Sequence, residues 1–130
     1  MKNLWSDADS TSFDGDLALR VYTSRLLGKD PTLVLHGGGN TSVKITESNI
    51  VGNQEEILYV KGSGWDLEFI EKAGFSPVRM NHMLSLAKLD TLSDPQMVNE
   101  LKTQLTNATS PTPSVETILH AILPFKYVDH

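Results

Sequence analysis

Leu35-His36-Gly37-Gly38-Gly39-Asn40-Thr41-Ser42-Val43-Lys44-Ile45-Thr46 is the stretch on which the reading of this chain turns. Three consecutive glycines free the backbone to adopt positive φ and leave no side chain to hold a ligand away. Successive N–H groups in such a loop can converge into an anion-binding nest. Asn40, Thr41 and Ser42 add short donors just past the bend. From Thr41 to Thr46 apolar and polar residues alternate, the period of a half-buried strand. The glycine run comes close to the dinucleotide fingerprint, with Ser42 in the third glycine position, but that fingerprint needs a helix after the loop. Leu33-Val34-Leu35 reads as a short buried strand entering the loop. The setting is therefore strand–loop–strand, which disfavours a nucleotide-binding domain. A Walker loop is excluded, because no Gly-Lys-Ser/Thr occurs. A tight hairpin, with the glycines serving the turn alone, is the competing reading.

Working outward, Asn49 to Asn53 makes a turn, and Glu56 to Lys61 is a further strand. It enters a second small-residue turn, Gly62-Ser63-Gly64-Trp65. Two such turns close in space would make a better anion pocket than either alone. Upstream, residues 1–11 read as an irregular lead-in. Ser12 or Asp14 could cap a helix running to about Leu27, with Gly28 just past its end. Downstream, Asp66 to Lys72 is predicted as a short helix, Phe75 to Arg79 as extended and Asn81 to Leu89 as helical. Ser93-Asp94-Pro95 starts a helix to about Leu105, with Pro in the first turn. Asn107 to Pro113 is a loop. Ser114 to Leu123 is a helix stopped by Pro124, and Lys126 to His130 begins a strand. The order is not the strict alternation of a doubly wound sheet, and suggests a mixed or antiparallel sheet flanked by helices.

Pro113-Ser114-Val115-Glu116 has a bland and a sharp reading. In the bland one Ser114 caps free N–H groups and Glu116 sits at the positive end of the helix dipole. In the sharp one Glu116 is a general acid/base at the mouth of a site, with His120 on the same helix face. His36 is expected to orient the glycine loop or fill the core. One histidine at the chain end, His130, cannot build a catalytic zinc site, which takes three protein ligands. His36, His82 and His120 fall on different elements and are not assigned to a metal.

The 130 residues suit one domain. The chain has 11 basic and 16 acidic residues, a net charge of −5. No Lys/Arg cluster supports nucleic-acid binding, and backbone N–H groups could still hold a small phosphate. No apolar run approaches the ~20 residues that span a bilayer, so no membrane association is expected. There is no cysteine, which removes disulfides and thiol chemistry. With no signal-peptide pattern, a cytoplasmic protein is expected.

Taken together, the glycine-Asn-x-Ser loop, the second glycine turn, the Pro-Ser-x-Glu helix and the strand ending in His resemble the class II aldolase/adducin family. The wording Leu-His-Gly-Gly-Gly-Asn-Thr-Ser with Val-Lys-Gly-Ser-Gly-Trp-Asp-Leu is similar to the aldolase half of bifunctional rhamnulose-1-phosphate aldolase/short-chain dehydrogenase proteins. The resemblance implies a three-layer α-β-α fold with a mostly antiparallel sheet, residues 1–130 being the N-terminal portion of one such domain, truncated at its C-terminus. It implies a zinc-dependent lineage that cleaves ketose 1-phosphates to dihydroxyacetone phosphate and an aldehyde, and a homo-oligomer, a tetramer in the family. By position, Gly39, Asn40, Ser63, Gly64 and Ser114 match phosphate contacts, Glu116 matches the catalytic glutamate, and His130 matches the first zinc ligand. Val115 replaces a serine, and Lys61 stands where many members have a small residue or proline. The remaining zinc ligands would lie beyond His130, so the resemblance implies Zn2+ in the complete protein, none held by these residues alone, and no activity of the fragment. A non-catalytic, adducin-like interaction module is the alternative.

Overall fold

A computed structural model describes residues 2–35 and 37–130. Met1 and His36 lie outside the described residues, and with them the role expected for His36.

Helix α1, Asp7–Ser10, is a single turn capped by the Ser6 hydroxyl, which accepts from the Asp9 N–H. Helix α2, Asp16–Gly28, starts after Gly15, whose φ of 90° turns the chain into it. It buries Ala18, Val21 and Tyr22, the spacing of one helical face. Strands β1, Thr41–Ser48, and β2, Gln54–Lys61, form a hairpin. Its turn is closed by the Asn49 carboxamide, which accepts from the N–H groups of Val51 and Asn53. Two 3-10 turns, Leu67–Phe69 and Lys72–Gly74, lead to strand β3, Phe75–Arg79, and helix α3, Met80–Leu86. Helix α4, Asp94–Thr103, opens with a reciprocal capping box between Ser93 and Gln96 and Pro95 in its first turn. Helix α5, Thr117–Ile122, and strand β4, Tyr127–Asp129, complete the chain.

The four strands run in the order β3-β2-β1-β4, every neighbour antiparallel. Alternation along the strands divides the core into two. Leu58, Val60 and Val78 pack on one face with Met80, Met83 and Leu86 of α3, Leu101 of α4 and Ala121 of α5. Tyr59 and Phe75 point the other way, joining Val21 of α2 with Leu67 and Ile70. Two adjacent residues of β1 show the same split. The Thr41 hydroxyl meets Ser24 of α2, and the Ser42 hydroxyl meets His120 of α5. The result is the α-β-α layering expected from the sequence.

Antiparallel pairing brings the start of β1, the end of β2, the start of β3 and the end of β4 to one end of the sheet. The Gly37–Asn40 loop, the Gly62–Gly64 turn and His130 therefore share that end. The 111–116 segment crosses it, with Gly62 bridging Pro113 and the Ser63 N–H donating to the Thr112 carbonyl at 2.9 Å.

Several expectations fail for identifiable reasons. Leu33-Val34-Leu35 is not a strand: β1 is already flanked by β2 and β4, and the N–H groups of Leu33 and Val34 both donate to the Asp30 carbonyl. Only Val34 of the three packs into the core, and Leu35 is 65% exposed. The glycine loop is thus neither a hairpin nor a strand–loop–strand unit, although a strand does follow it. The helix expected over 66–72 is a 3-10 turn at Leu67–Phe69, and the chain is extended again at Ile70. Helix α5 begins at Thr117 rather than Ser114, because the Thr117 N–H and hydroxyl both turn back to the Ser114 carbonyl. Helix α2 starts two residues beyond Asp14, α3 ends at Leu86 and α4 at Thr103. Gly28 is the last residue of α2 without positive φ, and close packing is what requires it. A Cβ there would lie 2.2 Å from the Glu68 nitrogen.

Candidate functional site

Asn40 sits at the hub of the sheet end. Its N–H donates to the His130 carbonyl and its carbonyl accepts from the His130 N–H, both at 2.7 Å. These two bonds extend the β1–β4 ladder and fix the backbone that carries the His130 imidazole. The Asn40 side chain is buried, and its Nδ2 donates to Glu116 Oε2 at 3.4 Å. Residues 40, 116 and 130, far apart in sequence, are thus brought together. Gly39, with φ of 77°, makes the bend that permits this. A Cβ on Gly39 would also lie 2.8 Å from Leu67 Cδ1.

Glu116 stands at the N-cap position of α5 with φ −85° and ψ 4°, and makes no side-chain capping bond. One carboxylate oxygen accepts from Asn40, and the residue remains at the helix N-terminus, so its expected place at the positive end of the dipole holds as well. Ser114, two residues earlier, does not cap either. Its hydroxyl is buried with no partner among the described residues. Ser63 and Gly64 are exposed at the same sheet end, held there by the Ser63–Thr112 bond. Gly64 has φ of 89°, and a Cβ built there would meet nothing within 4 Å.

Three buried polar atoms in this region lack partners among the described residues: Asn40 Oδ1, Ser114 Oγ and His120 Nε2. Such groups cost about 1–3 kcal/mol each when unpaired, and here they flank one carboxylate.

His120, which the sequence places on the same helix face as Glu116, makes a contact that the sequence does not show. It is fully buried on α5, with Nδ1 2.7 Å from the Ser42 hydroxyl and its ring 6.4 Å from that of His130. Burial and the neighbouring His130 push its pKa down to about 4, so it is neutral near pH 7. A Ser42 O–H donating to Nδ1 leaves Nε2–H as the free donor. Arg20 was also missed. It is buried under the sheet, pairs with Asp129 at 2.7 Å and lies over the Tyr127 ring. This tie anchors β4 to α2 next to His130.

Among the described residues no group of three His, Cys, Asp or Glu could hold a metal ion. His120 meets Ser42 through Nδ1, Asn40 donates to one oxygen of Glu116, and His130 contributes one imidazole. Two cavities, of about 610 and 630 Å³, lie elsewhere, one between the 2–5 segment and α2, the other between β1 and the 121–126 segment. Neither is lined by Asn40, Ser63, Gly64, Ser114 or Glu116. Among the described residues no helix is long and apolar enough to cross a membrane.

Comparison with known proteins agrees with this fold. Residues 18–130 match the model of the class II aldolase and adducin N-terminal domain. The chain superposes with a TM-score of 0.91 on the solved N-terminal class II aldolase domain of a conserved protein from Thermoplasma acidophilum. The two are 49% identical, over all of this chain and 59% of that one. It is 38% identical over its full length to 19% of a Bacillus subtilis (strain 168) protein named "Uncharacterized oxidoreductase YuxG". The chain thus spans about three-fifths of the solved relative and about a fifth of the curated one. By sequence over residues 18–130 and by fold over its whole length, the chain belongs to the class II aldolase and adducin N-terminal domain family.

Proposed function

We propose that these residues form the phosphate-binding and proton-transfer half of a ketose-phosphate aldolase site. The observation that carries this reading is the Glu116 carboxylate held by Asn40 among three unpartnered buried polar atoms. Ser63, the Gly64 N–H, Asn40 and Ser114 offer neutral donors for a phosphate, which suits a chain with net charge −5. Holding the phosphate fixes the distance from it to the reacting carbon and so lowers the entropic part of the barrier. In retro-aldol cleavage the hydroxyl proton leaves, the C–C bond breaks, and its electron pair is left as an enediolate that must be protonated at carbon. Glu116 is the group to which this reading gives that proton transfer. No step is assigned to a metal, since the described residues do not build a site for one. The lineage's zinc requires ligands from outside these residues.

The test is lactaldehyde release from rhamnulose 1-phosphate by the full gene product, with and without Glu116→Gln. Folding is expected to survive and turnover to fall at least 100-fold, within the range for loss of a general acid/base. Near-unaltered turnover returns Glu116 to a structural role. No turnover by the unaltered full protein, with no affinity for dihydroxyacetone phosphate, favours an interaction module of the adducin kind. The 130 residues alone are expected neither to retain zinc after dialysis nor to cleave the substrate. Stoichiometric zinc with turnover would show that the metal site is misplaced.

A further inference from the structure

Asn40 and Ser42 are two residues apart and both turn toward α5, while Thr41 between them turns to α2. Glu116 and His120 are four residues apart, and the His120 N–H donates to the Glu116 carbonyl at 3.1 Å, closing one helical turn. Two residues of strand rise about 6.6 Å, and four residues of helix about 6 Å. The repeats match, so strand and helix meet in two rungs. Asn40 Nδ2 donates to Glu116 Oε2 at 3.4 Å, and the Ser42 hydroxyl meets His120 Nδ1 at 2.7 Å. The first rung is long for an N–H···O bond and only partly buried. The second is short, and both of its residues are 0% exposed. Lys44, next on the same side of β1, donates to the Leu123 and Phe125 carbonyls through a long side chain that can follow a shift of the helix. Ala121 of α5 packs in the cluster that holds Leu58 and Val60. Apolar burial is non-directional, so it does not fix where α5 stands along β1.

We propose that Ser42 and His120 are positioning residues, whose hydrogen bond sets the register of α5 against β1 and so holds the Glu116 carboxylate at Asn40. This rests on the functional reading above and adds two residues to it. With no exposed surface, the pair acts through Glu116 and not on a substrate. Loss of the bond leaves the long Asn40–Glu116 contact to hold the register alone. Proton transfer requires hydrogen-bond reach between the carboxylate and the reacting group, and a displacement of about 1 Å is enough to slow such a step severely.

The experiment measures kcat and KM for rhamnulose 1-phosphate in the full gene product carrying Ser42→Ala, His120→Leu, both together, or His120→Asn. Asparagine brings an amide oxygen close to where Nδ1 stands and so keeps an acceptor for the Ser42 hydroxyl. Each of the first two is expected to lower kcat about tenfold or more, with KM within about threefold of the unaltered value. The double variant is no slower than the slower single one, because both changes remove one bond. His120→Asn recovers most of the kcat lost in His120→Leu. Losses that multiply in the double variant, or a His120→Asn as slow as His120→Leu, overturn the proposal. The side-chain amide resonances of Asn40 in the 15N-labelled 130-residue chain report the first rung without turnover. They are expected to move in Ser42→Ala, the mildest change, and to stay near their places in His120→Asn. Asn40 resonances unmoved by Ser42→Ala overturn the positioning role and leave the functional reading standing. No turnover by the unaltered full protein overturns that reading, and with it the catalytic use of the pair.

Discussion

Gly28→Ala reverses a general rule and so tests the packing of the site's support. In an exposed helix, replacing Gly by Ala stabilises by up to about 1 kcal/mol. Gly28 ends α2 against the chain that leads from the 62–64 turn into the core. A Cβ there would stand 2.2 Å from the Glu68 nitrogen and 2.6 Å from the Leu67 carbonyl carbon. Both are backbone atoms, so no side-chain rotation relieves the contact. The displacement required is more than an ångström, placing the overpacking cost at or above the upper end of about 1–3 kcal/mol. The net expectation is a loss of roughly 2 kcal/mol or more after the propensity gain. With a urea slope near ~1.5 kcal/mol/M, the unfolding midpoint falls by about 1.3 M. Gly52→Ala is the comparison, because Gly52 has φ of 87° and nothing within 4 Å. It pays left-handed backbone strain alone, about 1–2 kcal/mol. A Gly28→Ala midpoint equal to or above that of the unaltered chain would refute the close approach of α2 to residues 67–68.

His120 makes stability depend on pH. Its folded pKa of about 4 lies below the ordinary ~6.5. The unfolded chain therefore binds the proton first, and the stabilisation present above ~6.5 is lost as pH falls toward 4, by roughly 2–3 kcal/mol. His120→Asn should flatten that part of the curve, and an unchanged curve would show that the ring is not buried neutral. Asp129→Asn leaves the buried Arg20 guanidinium without its carboxylate. Since Asp129 itself is half exposed, the expected cost is about 1–3 kcal/mol, between surface and buried pairs. A loss under ~0.5 kcal/mol in urea unfolding would show that the pair does not anchor β4.

Much of the fold was legible in local pattern. The alternation of residues 41–46 and 56–61, with Asn49 and Gly52 between, specifies a hairpin from short-range signals alone. The Ser93–Gln96 capping box with Pro95 marks α4 in the same way. What failed is equally physical. Three apolar residues at 33–35 cannot say whether an edge is available to pair with, and β1 had none free. Ser114 and Thr117 compete for the same helix start, and the Thr117 hydroxyl decides it. At the site, the glycine turns, Asn40 and Glu116 were legible as types. The Ser42–His120 and Arg20–Asp129 contacts were not, because each joins residues far apart whose local sequence is unremarked.

The central claim is that the sheet end bearing Asn40, Ser63, Gly64, Ser114 and Glu116 receives a sugar phosphate. Titrating the 15N-labelled chain with dihydroxyacetone phosphate and following its amide resonances addresses that claim most directly. The account predicts saturable shifts at Gly39, Asn40, Ser63, Gly64 and Ser114, with little change along α4. Shifts confined to the residues around the 610 Å³ cavity, Trp5, Leu19 and Leu26 among them, or no saturable shift at all, would contradict it.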